Sequence, residues 1–98
     1  MRRKPTLPSR VRIKRDITYD IVYSDDLGAD TIAECRPEPL RQIAIKNNLS
    51  NKELIKSFLH ELLHAIEFEH DLKISHSLVH ELEEPIYKVL ILNGWIKK

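Results

Sequence analysis

His60, Glu61 and His64 stand in the order His-Glu-Leu-Leu-His, the HExxH spacing. Residues four apart on a helix lie on one face, a turn from each other, so both imidazoles can reach a single Zn²⁺ at about 2.0–2.1 Å from each nitrogen. Glu61, rotated to the side, is placed to take a proton from a water activated by that ion and to pass it to a leaving amine. A solvated helix face carrying two histidines would explain the amphipathic pattern but would leave the position of Glu61 to accident. With His60 at zero and about 100° per residue, His64 falls at about 40° and the stripe of Leu54, Phe58, Leu62 and Ile66 centres at about 200°. The histidines therefore point away from the packed side, towards a cleft or solvent.

A zinc site needs a third protein ligand. His70 has the spacing of the longer pattern HExxHxxGxxH, in which Gly ends the helix and swings the last His round. Glu67 occupies the Gly position here. If the helix continues to residue 70, His70 points away from the metal. Glu67 faces the right way, but one straight helix does not readily offer three ligands to a tetrahedral ion. In the following segment His76, His80, Glu83 and Tyr87 fall within about 60° of each other on a wheel, beside an apolar face. Packed antiparallel on the first helix, that segment presents this stripe to His60 and His64. His76 is the favoured third ligand, Glu83, His80 and His70 are alternatives, and His80 or Tyr87 is placed to stabilise an oxyanion.

The elements that must hold these groups are legible from period and punctuation. Ser50-Asn51-Lys52-Glu53 is a capping box opening a helix of about twenty residues, with no Gly or Pro between 50 and 70. A turn around Asp71-Leu72-Lys73 follows. Ser75 can cap a last helix through Val79, Leu82, Ile86, Val89 and Leu90, which Asn93-Gly94 stops and Pro85 should kink or restart. Upstream the period is that of strands. Val11–Ile13 and Ile17–Tyr23 are rich in β-branched and aromatic residues, Thr31–Cys35 is a second candidate, and Arg41–Lys46 alternates polar and apolar. The expected class is α+β: a small N-terminal sheet of about three strands, the HExxH helix and a C-terminal helix.

Composition sets the frame. The 98 residues are 42% hydrophobic and 32% charged, which suits one globular domain and neither a disordered chain nor a fibre. The longest apolar run, Val89–Leu92, is far too short to cross a bilayer, so no membrane partner is expected. The basic start Met1–Pro5 has no apolar segment behind it and does not read as a secretory signal. Cys35 is the single cysteine, which fits a reducing compartment and a cytoplasmic expectation. It could act as a thiolate switch on a metal, or as a plain small buried residue. Net charge is +1, yet residues 1–15 hold seven Arg or Lys and no acid. Residues 1–9 read as a basic flexible tail and 10–98 as the domain; the basic arm is a weak nucleic-acid footprint, with no aromatic interleaved for base stacking.

The stretch from Ile43 through His60-Glu61-Leu62-Leu63-His64 to His76-Ser77-Leu78-Val79 resembles small zincin-type metallopeptidases, the SprT-like and minigluzincin group. It also resembles short metallopeptidases of bacterial viruses and their hosts. The resemblance spans about residues 41 to 92, and only the HExxH string is specific within it. It implies a histidine at the start of the next helix as third ligand, here His76, whereas gluzincins use a downstream helical Glu, here Glu83. It further implies that the strand before the active helix, Arg41–Lys46, pairs with an extended peptide substrate. A Met-turn and a second subdomain are missing, so the groove should be shallow. The expectation is a Zn²⁺-dependent peptidase acting on peptides or proteins, with Glu61 as general base and then acid. The alternative is a non-catalytic, metal-stabilised adaptor whose basic arm takes nucleic acid or an acidic partner.

Overall fold

A computed structural model describes residues 7–95. Four strands precede two helices: β1 (Arg10–Lys14), β2 (Ile17–Ser24), β3 (Ala33–Arg36), β4 (Gln42–Lys46), α1 (Asn51–Glu69) and α2 (His76–Leu92). The α+β class is as expected. The strand count rises to four because the chain turns at Arg15-Asp16, making Val11–Ile13 and Ile17–Tyr23 two arms of an antiparallel hairpin.

The sheet order is β1-β2-β4-β3, with β4 parallel to β2 and antiparallel to β3. Both edges of β4 are thus paired, and this overturns the expectation that residues 41–46 take up a substrate strand. The free edges belong to β1 and β3. Arg41 stands outside β4 at φ 49°, where its N–H donates to the Pro37 carbonyl and its own carbonyl accepts from Asp20.

Alternation decides which side of the sheet is covered. Tyr19 and Ile21 on β2 and Ile43 and Ile45 on β4 point to one face and are buried there with Leu54 and Phe58 of α1. Leu7 also packs on this core and the Ser9 carbonyl accepts from Ile21, so residues 7–9 are anchored rather than tail-like. The rest of the expected tail, residues 1–6, lies outside the described residues.

α1 begins with the expected capping box: Ser50 Oγ accepts from the Glu53 N–H at 3.2 Å, and Glu53 Oε1 accepts from the Ser50 N–H at 3.2 Å. It ends where Asp71 adopts φ 52° and the Leu72 N–H reaches back to the Glu67 carbonyl. α2 is capped by Ser75, whose Oγ accepts from the Leu78 N–H at 3.1 Å. It closes on a left-handed Gly94, with Gly94 and Trp95 donating to Ile91 and Leu90. The helix is continuous through Pro85 rather than restarting there. Glu81, whose carbonyl loses the bond from residue 85, is exposed to water, which offsets part of that loss. α2 packs on α1 and on no strand.

Candidate metal centre

The antiparallel α1–α2 pair and the edge strand β3 enclose a cleft of about 790 Å³. His60 and His64 line it from α1, Glu61 lies 8% exposed beside them, and His76 and His80 face it from α2. The histidines are not on an open face: their side chains retain only 15% and 19% exposure. His60 Nε2 and His64 Nε2 are 3.2 Å apart. The ring of His76 approaches both, with centroids 4.9 Å from His60 and 5.5 Å from His64.

The outer nitrogens explain why the inner ones face each other. His60 Nδ1 lies 2.6 Å from Glu83 Oε2, and His64 Nδ1 lies 3.2 Å from Glu67 Oε1. With an ionised carboxylate accepting, each Nδ1 is the donor, and a neutral ring then turns the lone pair of its Nε2 towards the other histidine. Two such lone pairs held 3.2 Å apart repel unless a proton or a cation lies between them. Tetrahedral zinc with bonds of about 2.0–2.1 Å sets its ligand atoms about 3.3 Å apart, so the donor pair fits. One ligand atom each from His60, His64 and His76 lies within 4.8 Å of the others, and this group could hold a metal ion. So could His60, His80 and Glu83, on the other side of the His60 ring.

The carboxylates also tie the elements together. Glu67 Oε2 accepts from the Ile74 N–H at 3.1 Å, pinning the α1–α2 turn to the same side chain that orients His64. These two contacts, the backbone one first, hold the Glu67 carboxyl below its usual range. Glu83 is buried and is shared between His60 and, at 3.4 Å, His80 Nδ1. Burial pushes the Glu61 carboxyl up, while the neighbouring His60 and His64 pull the other way.

His60, Glu61, His64 and His76 are brought together. His70 caps the end of α1, exposed and away from the cleft. Tyr87 does not line the cleft; Lys52 Nζ sits 5.6 Å over its ring. Glu67 and Glu83 act as orienting carboxylates on histidine nitrogens. Glu34, Ser57 and Phe68 also line the cleft and were not singled out from the sequence. The Phe68 ring stacks on His64 at 6.4 Å between centroids, at the i, i+4 spacing that could have flagged it. Glu34 arrives through strand order, which leaves no local signal. Cys35 also lines the cleft, but burial, with Glu61 and Glu69 nearby, pushes its thiol up to about 12. It is protonated at neutral pH and packs against the core as a small apolar group. No family model, no curated protein and no solved structure matches the chain.

Proposed function

We propose that the protein is a zinc-dependent peptidase of the SprT-like or minigluzincin type, with His60, His64 and His76 as the metal ligands. The observation that carries this reading is the pair of imidazole nitrogens 3.2 Å apart, each ring fixed by its own carboxylate, with Glu61 in the same cleft. When bound, the ion supplies a Lewis acid that polarises a scissile carbonyl and acidifies the attacking water. Glu61 accepts the proton of that water and delivers it to the departing amine. Glu83 and Glu67 hold the two ligating rings in the tautomer that leaves Nε2 free. His80, exposed at the rim, is the group available to donate to a developing oxyanion. An extended peptide adds to the free edge of β3, whose residues line the cleft, so backbone hydrogen bonding rather than a deep side-chain pocket governs selection.

Cleavage of casein by zinc-loaded protein, compared with Glu61→Gln, tests this. The variant should retain zinc and lose about a hundredfold or more of the rate; equal rates would remove the enzymatic claim. A second reading, a metal-stabilised adaptor for nucleic acid, rests on β1, where Arg10, Arg12 and Lys14 all lie on the exposed side of the strand. It predicts salt-dependent binding of an oligonucleotide, abolished when these three are changed to Ser and indifferent to Glu61.

A further inference from the structure

α2 buries only Val79 and Glu83, yet its sequence is apolar well beyond that face. Leu78, Leu82, Pro85, Val89 and Leu92 are spaced four, three, four and three residues apart, the repeat of a coiled-coil seam. Leu78 is 44% exposed, Val89 50% and Leu92 84%. With Val79 at zero on a wheel, this seam occupies about 220° to 300°, whereas His76 and His80 lie at about 60° and 100°. The seam is therefore on the side of α2 turned away from the cleft. It runs for about 21 Å at 1.5 Å per residue, a length that one helix of similar size would cover. An apolar stripe exposed along its length except at half-buried Leu82 marks an interaction surface.

The charges beside the seam choose the occupant. Glu81 and Lys88 flank it on its outer side, seven residues apart and both exposed. In a parallel pair these positions face Ile86 and Asn93 of the other helix, and their charges are idle. In an antiparallel pair of identical helices centred near Pro85, Glu81 of each copy faces Lys88 of the other, and the contact occurs twice. Leu78 of one copy then meets Val89 and Leu92 of the second. A patch complementary to itself under a two-fold rotation is what a symmetric dimer requires.

We infer that the outward face of α2 is a self-association surface, on which a second copy of this chain docks its own α2 antiparallel about an axis near Pro85. The two clefts stay open on opposite outer sides of the dimer, so the association is independent of the metal chemistry.

Sedimentation of the full chain over a concentration series decides it. The wild type should move from a species of 11.5 kDa to one of twice that mass as concentration rises. Lys88→Glu should raise the dissociation constant by about tenfold or more, since it turns two attractive pairs into two repulsive ones. Glu81→Lys combined with Lys88→Glu should restore wild-type association. Leu92→Glu, at a side chain already in water, should give a monomer with an unchanged circular dichroism spectrum and unchanged zinc binding. A wild type that stays monomeric throughout, a dimer indifferent to Lys88→Glu, or a double exchange no better than the single one would each overturn the inference.

Discussion

Glu83 and Glu67 do different work from the histidines they touch. Each engages the Nδ1 of one histidine, at 2.6 Å and 3.2 Å, and so fixes both the ring plane and the nitrogen left for a metal. Glu83→Gln and Glu67→Gln keep the shape but not the charge. Each should weaken zinc binding by about 10- to 100-fold, measured by competition with a chromophoric chelator. Unchanged affinity in both would deny the carboxylates an orienting role. His80→Ala separates the two possible ligand groups: a site built on His60, His64 and His76 keeps its affinity, whereas one built on His60, His80 and Glu83 does not. The HExxH string made two of these positions legible because helical period is local. The roles of Glu67 and Glu83 were not legible, since they depend on the α1–α2 turn and on the rotation of α2 about its own axis.

At the scale of elements, the candidate centre depends on one interface. α2 carries His76, His80 and Glu83 but, among the described residues, rests on α1 alone, through fully buried Val79 and the Lys56–Glu84 ion pair at 2.9 Å. That pair is partly exposed and adds little, so packing dominates. Val79→Ala should cost about 2 kcal/mol in chemical denaturation and should lower zinc affinity as well, because the cavity loosens the helix bearing His76. Loss of stability with zinc affinity intact would show that α2 docks by other means. The α1 cap gives a prediction with a pH sign. The backbone and hydroxyl hydrogen bonds of Ser50 hold the Glu53 carboxyl below its usual range. Its contribution is present above the unfolded pKa of about 4.3 and is lost as pH falls through the lower folded value. Glu53→Gln keeps an acceptor for the Ser50 N–H but does not titrate, so urea midpoints should fall less steeply below about pH 4.5 than in the wild type. Both caps and both helices could be read directly, since Ser50, Glu53, Ser75 and Gly94 act within a few residues. Strand order could not. Alternation in Gln42–Lys46 suits an edge and a centre equally, and only the crossover that places β3 beyond β4 shows that its edges are filled.

For the whole molecule, the sheet and α1 form the body and α2 is an arm laid across it. The core of Tyr19, Ile43, Ile45, Leu54 and Phe58 is built without any contribution from α2, so the body does not depend on a metal for its packing. The cleft is built differently: its walls on α1 and α2 face each other across three imidazoles. A cation held by both walls would fasten the arm to the body and stabilise the folded chain in proportion to its affinity. Equilibrium dialysis of the purified protein against zinc, wild type beside His76→Ala, measures this most directly. One zinc per wild-type chain, with binding lost or greatly weakened in the variant, is the predicted result. A wild type that retains no zinc, or a His76→Ala protein that binds it as tightly, would contradict the three-histidine centre.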